Sequence, residues 1–138
     1  VGRKGIEVNR AQIELVQRTF GDVERDGERA SAMFRARVGA IAPHLLPALP
    51  AEPVPALGAV VAQLHDLHEV VRRAQRLAEA HVAVGGEVGD VAAVRIALLW
   101  TLEQLLGPAY GPDVRNAWAA TSGTLVTIMV GAAELAAS

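Results

Sequence analysis

Apolar residues recur at helical spacing along most of the chain. After Asn9, whose side-chain oxygen suits a helix cap, come Ile13, Leu15, Val16, Phe20 and Val23, and Gly27 closes the segment. This spacing predicts a first helix. A second is predicted from about Glu28 to Ile41, with Met33, Phe34, Val38 and Ile41 as its apolar set and Pro43 as its stop. Pro43, Pro47, Pro50 and Pro53 then crowd the chain ahead of Pro55, which predicts a short, stiff and irregular connector. A third helix is expected to start near Pro55, a favourable first-turn residue, and to carry Leu57, Val60, Val61 and Leu64. A corner at His65–His68 leads to a segment over Glu69–His81. Val70, Val71, Ala74, Leu77, Ala78 and His81 fall close to one face of it, and Arg72, Arg73 and Arg76 are left for water.

Gly85, Gly86 and Gly89 separate that segment from a long helix beginning near Asp90, a suitable cap. Its expected buried stripe is Val91, Val94, Leu98, Leu102 and Leu105, widened by Ile96, Leu99 and Leu106. Gly107–Pro112 reads as a loop. Gly111-Pro112-Asp113 starts the last helix, because proline fits the first turn and aspartate suits the positive end of the helix dipole. That helix is expected to reach about Ala133. No alternating pattern of useful length and no internal repeat appears, so the predicted class is all-α. Residues 1–8 are expected to form a loose leader, and residues 9–138 one domain.

Composition narrows the function classes. A chain of 138 residues with 51% apolar and 20% charged residues can bury a core and is not a disordered segment. The net charge is −2, with both signs mixed along the chain, which argues against a nucleic-acid or anionic-membrane partner. There is no cysteine, which removes disulfides, thiolate metal sites and cysteine nucleophiles together. That composition is compatible with the cytoplasm, and the first residues lack the apolar run of a signal peptide. Residues 117–133 carry no charge and approach the length of a membrane span. They include Thr121, Ser122, Gly123, Thr124 and Thr127, so a buried core helix in a soluble protein is expected instead.

His81 is the first candidate for chemistry. It stands among small apolar residues in LAEAHVAVGG, residues 77–86, just before a glycine break. Such a histidine is either a half-buried packing residue or a metal ligand. Three blocks bear on that choice: AQIELVQRTFGDV at 11–23; MFRARVGAIAPHLLPAL at 33–49; and RLAEAHVAVGG, LLWTLEQLLG and PDVRNAWAA between 76 and 120. In order and spacing, over roughly residues 11–135, they resemble the bacterial globins of the flavohaemoglobin and single-domain haemoglobin group. The resemblance implies an all-α globin-like fold with a shortened connector and distal helix, a bound haem b, and His81 as the proximal iron ligand. A neutral imidazole suits that role, giving one ring nitrogen to iron while the other donates to a carbonyl about one turn earlier.

The chain departs from the family at the pocket. Arg35 stands at the family's distal tyrosine position, and Leu49 at that of the phenylalanine that wedges the porphyrin. Between Leu49 and Leu67 the chain is shorter than the family, and the missing piece would carry the distal glutamine. On the proximal side Val91 replaces a tyrosine, and Glu134 is one position out of register with its glutamate partner. Losing the tyrosine and glutamine removes hydrogen bonds that stabilise bound oxygen. Losing the proximal pair weakens the electron push of the ligand. Arg35 turned inward would favour an anionic ligand; turned outward it is an exposed or salt-bridged helix residue. The sequence shows no reductase domain, so efficient nitric oxide dioxygenation by this chain alone is not expected.

Other clusters read more plainly. His65, His68 and Glu69 would share a face of a continuous helix and suit zinc, but the resemblance puts them at a solvated corner. His44 is an outside candidate for a sixth iron ligand. Ser122 lacks the sequence of a nucleophile elbow, and Gly85–Gly89 follows no strand and is no dinucleotide fingerprint. Trp100 and Trp118 are expected in core or dimer contacts. The leading expectation is a haem-binding globin-like protein for a small diatomic or anionic ligand, acting in gas binding, sensing or redox chemistry. The alternatives are a haem-free globin fold serving as an interaction or sensor module, favoured by the low aromatic content, and a specialised haem enzyme. A homodimer is possible.

Overall fold

The computed structural model describes residues 9–49, 52–83 and 89–137; of residues 48, 56, 67, 77–78, 80–83, 133 and 135–137 it describes the backbone alone. The expected leader, residues 1–8, and the glycine segment at 84–88 lie outside the described residues. Among the described residues there are six α-helices, two 3₁₀ segments and no strand, in keeping with the all-α class.

Helix α1, Arg10–Glu24, begins as its sequence requires. The Asn9 side chain accepts from the Gln12 N–H at 2.8 Å, and the Gln12 side chain accepts from the Asn9 N–H at 3.2 Å. This reciprocal box satisfies two amides that the helix itself leaves without acceptors. Helix α2, Gly27–Ile41, follows after a two-residue turn and ends ahead of Pro43. The proline-rich connector is less irregular than its composition suggests. Pro43–Ala48 winds into a 3₁₀ segment, and helix α3 starts at Pro53 rather than Pro55, running to Ala62. Proline is tolerated in both places because a helix start needs no amide donor there. The Ser31 hydroxyl accepts from the Val54 N–H at 3.2 Å and ties the start of α3 to α2.

Helix α4, Leu67–Ala83, starts at Asp66, whose carboxylate accepts from the Glu69 N–H at 3.2 Å. Helix α5 spans Gly89–Leu106, and a 3₁₀ turn at Gly107–Ala109 leads to helix α6, Pro112–Ala137. Gly107 holds a left-handed φ of 52°, where a side chain would be strained. Asp90 lies inside the first turn of α5 rather than ahead of it, so it does not cap the helix as expected.

Two apolar clusters result. The larger joins α1, α3, α5 and α6 around Val16, Phe20, Val61, Leu102, Ala117 and Trp118. Trp118 is 2% exposed, tilts against Phe20 at 6.2 Å between ring centroids, and donates its indole N–H to the Thr19 hydroxyl at 2.9 Å. The smaller cluster joins α2, the 3₁₀ segment and α5 through Phe34, Val38, Ala42, Leu45 and Ala97. Helix α1 crosses α6, α2 crosses α5, and α3 packs on α1 and α2, whereas the main partner of α4 is α6. Gly58 marks the closest approach of α3 to α1: a Cβ there would lie 2.9 Å from a Glu24 carboxylate oxygen and 3.2 Å from the Phe20 ring.

Helix α5 differs from the single stripe read from its sequence. Ala97, Thr101, Leu102 and Leu106 are buried, Val94, Leu98 and Leu105 are half-buried, and Ile96 is 57% exposed. Ile41, expected in the apolar set of α2, is 40% exposed. The cause is the position of α5 between α2 on one side and α1 and α6 on another, which spreads burial around the helix. Among the described residues Gly89–Ala109, rather than 117–133, is long and apolar enough to cross a membrane by length and composition. Arg95 within it donates to the Ser122 hydroxyl at 2.9 Å and to the Ala119 carbonyl at 3.0 Å, which fastens α5 to α6.

Trp118→Ala is expected to lower the unfolding free energy by about 3–5 kcal/mol in urea titrations, the usual cost of removing a buried aromatic ring. A loss below about 1 kcal/mol, the size of an ordinary surface change, would mean that the Trp118 contact does not organise the core.

Candidate functional site

The smaller apolar cluster is the place where the sequence candidates converge. Helix α2 contributes Phe34 and Val38, one turn apart, because the 3.6-residue period puts them on one face. Pro43 ends α2 and turns the chain into the 3₁₀ segment, which folds Leu45 back onto the same cluster. Helix α5 closes it with Ala97, and Leu49, Ala93, Val94 and Leu98 stand half-buried along its edge. Along α5 buried and half-buried residues outnumber exposed ones, and Ile96 is the large apolar residue most open to water.

Arg35 and Leu49 are brought together. The Leu49 side chain packs on the cluster, while its carbonyl accepts from the Arg35 Nη1–H at 3.3 Å. Arg35 is half-buried, and its guanidinium sits at the rim where α2 meets the end of the 3₁₀ segment. The Leu49 carbonyl is one partner of this guanidinium.

His81 lies on the final turns of α4, near the end at Ala83. Its side chain lies outside the described residues, and the structure therefore does not test its expected role. The backbone of the helix that bears it packs mainly on α6. Val91 is half-buried at the start of α5, and Glu134 is exposed near the end of α6.

His44, the outside candidate for a sixth ligand, has another partner. Its Nε2 lies 2.8 Å from the Asp90 carboxylate, joining the 3₁₀ segment to the first turn of α5. The His44 side chain is 66% exposed and that of Asp90 10% exposed. The pairing explains why a carboxylate is tolerated at a buried position, since a buried acid needs a donor. Sequence reasoning gave both residues other tasks. The available signal was an acid in the first turn of α5 and a histidine in the first turn after α2, which α2–α5 packing brings together.

The corner at His65–Glu69 does not form a ligand set. His65 lies in the turn before α4, His68 is exposed, Asp66 caps the helix, and the Glu69 carboxylate pairs with Arg72 at 2.9 Å. Among the described residues no three His, Asp or Glu side chains come together as a metal site would require. Ser122 is buried and accepts from Arg95, a packing role. Trp118 is a core residue, whereas Trp100 is half-buried beneath the Arg37 guanidinium, 4.7 Å from the ring centroid. Tyr110, at the opposite end of α5, has its phenol pushed up by burial, with the Arg115 guanidinium opposing that shift.

Chemically, the arrangement offers an apolar cluster with the Arg35 guanidinium at its rim. No family model matches the chain. A search of characterised proteins gives neuroglobin of Danio rerio, 36% identical over 73 residues, which are 53% of this chain and 46% of neuroglobin. The chain thus spans about half the length of the relative it matches. With the helix order and the crossings above, this similarity supports a relationship to the globins, and the fold is all-α and globin-like.

Proposed function

We propose that this chain is a haem-binding globin-like protein in which His81 holds the iron and Arg35 and Leu49 border the opposite side. The observation that supports this most is the half-covered apolar edge of the smaller cluster. Leu49, Ala93, Val94 and Leu98 stand half-buried against that cluster, and a prosthetic group would cover what they leave open. A flat apolar ring with anionic substituents fits that surface, which has a guanidinium at its rim. The donor set also fits, since an imidazole is a standard axial ligand and the absence of cysteine leaves non-covalent haem b as the form to expect. The three sequence blocks favour the flavohaemoglobin and single-domain group within the globins.

When bound, haem supplies an iron coordination position for a small diatomic or anionic ligand. The protein contributes the rest. His81 would fix the iron from α4, Leu49 would press an aliphatic side chain where the family has an aromatic one, and Arg35 would donate from the rim. A guanidinium stabilises negative charge more than it stabilises a neutral ligand. This distal side therefore favours anions over oxygen, and binding, sensing or redox work over oxygen storage.

One observation favours a second reading, a haem-free globin fold acting as an interaction or sensor module. Helix α3, at the place of the distal helix, has 10 residues and packs on α1 and α2, so it offers little cover to a porphyrin.

Two measurements check the first reading. Titration of the purified chain with haemin is expected to give a stoichiometric Soret band that is lost or strongly shifted in His81→Ala; no binding at stoichiometric haemin would leave the second reading. In the haem-loaded ferric protein, Arg35→Ala is expected to weaken azide binding roughly tenfold or more, the scale of a charged hydrogen bond, with little effect on neutral imidazole. Equal azide affinities would remove Arg35 from the site.

A further inference from the structure

Asp90 is a carboxylate in an unusual setting. An acid in the first turn of a helix is favoured by the dipole and can remain in water, yet the Asp90 side chain is 10% exposed. It lies against the 3₁₀ segment, with His44 Nε2 2.8 Å from its Oδ1. A carboxylate at that depth is costly to leave short of a donor, so this contact counts for more than an ion pair on the surface.

The segment that carries His44 leads directly to the Arg35 contact. Pro43–Ala48 has proline at two of its six positions, and a 3₁₀ run of that length is seldom held by its own hydrogen bonds. Its neighbours hold it instead. Leu45 is buried in the smaller cluster. Leu46 lies over Gly39 of α2, where an added Cβ would come within 3.1 Å of its Cδ1. His44 ties the same segment to α5. The Leu49 N–H donates to the Leu46 carbonyl at 3.2 Å, and the Leu49 carbonyl accepts from Arg35 at 3.3 Å. Asp90, His44, the 3₁₀ turns, the Leu49 carbonyl and Arg35 thus form one connected path, on which His44 and Leu49 are about 10 Å apart.

We propose that His44 and Asp90 are positioning residues for Arg35: by fixing the 3₁₀ segment to α5 they set where the Leu49 carbonyl stands, and with it where the guanidinium meets an anionic ligand. The inference rests on the haem reading for the ligand, and on the contacts above for the coupling. Both residues act through the backbone of the segment rather than on the ligand. A donor held in place by a supporting contact binds better than the same donor left to find its position.

Two measurements on wild type, His44→Ala, Arg35→Ala and the double variant test this: azide binding to the ferric, haem-loaded protein, and urea unfolding of the full chain without added haemin. His44→Ala is expected to keep the helical circular dichroism, because the side chain is 66% exposed. It is expected to weaken azide binding about threefold or more, with neutral imidazole unaffected. In the Arg35→Ala background the same change is expected to cost nothing further. His44→Gln, which keeps a donor, is expected to restore most of the loss. The unfolding constants are expected to be non-additive in the same way. No azide loss in His44→Ala, or an equal loss in both backgrounds, overturns the proposal. Unfolding constants that are additive within about twofold overturn it as well. If the wild type takes up no haemin, the haem reading fails, and the unfolding cycle alone then decides the coupling.

Discussion

The seat of Trp118 is the constraint on which the rest of this fold depends. A ring of that size can be buried in a chain of 138 residues only where several helices converge, and its indole N–H needs an acceptor when water is excluded. Both conditions are met by α1. Phe20 supplies the ring contact and Thr19 supplies the hydroxyl, 99 positions away in sequence. The same hydroxyl donates to the Leu15 carbonyl at 2.7 Å, so it serves the indole without leaving its own hydrogen unsatisfied. Pinning α1 to α6 in this way sets where α3 and α5 can lie, because both complete the cluster around Trp118.

From that placement follows the division of the interior. With α5 held against α1 and α6, its remaining sides meet α2 and the 3₁₀ segment, and a smaller cluster forms there. Arg95 and the His44–Asp90 pair fasten α5 at two points, one toward α6 and one toward the 3₁₀ segment. Helix α4 is recruited by α6. The half-buried residues at the edge of that cluster are therefore a consequence of packing elsewhere. Two residues of that edge act on one another: the Leu49 carbonyl accepts from the Arg35 guanidinium, and the Leu49 side chain packs on the cluster.

Much of this was legible in the sequence. Asn9, Gly27, Pro43, Pro112 and the apolar spacing between them locate helix ends to within a few residues, because caps and prolines act locally. The burial pattern of α5 was not legible, since a helix apolar on all sides has no stripe to read; which side is covered is decided by its neighbours. The same reason hid the partnership of His44 with Asp90 and of Arg37 with Trp100, each a product of α2–α5 packing between residues far apart in the chain. The proline-rich connector was misread for another reason: prolines at first-turn positions start helices as readily as they end them, and Pro43 and Pro53 do so here. The sequence offered His81, Arg35 and Leu49 as residue types and through a resemblance, while the contact between Arg35 and Leu49 came from the fold.

We propose that the imidazole of His81, carried by α4, holds the iron of a bound haem. Resonance Raman spectroscopy of the reduced, haem-loaded protein reads that bond directly. The account predicts an iron–histidine stretching band in the wild type, its loss in His81→Gly, and its return when free imidazole is added to that variant. A band that persists in His81→Gly without imidazole would contradict it, because another residue would then be holding the iron.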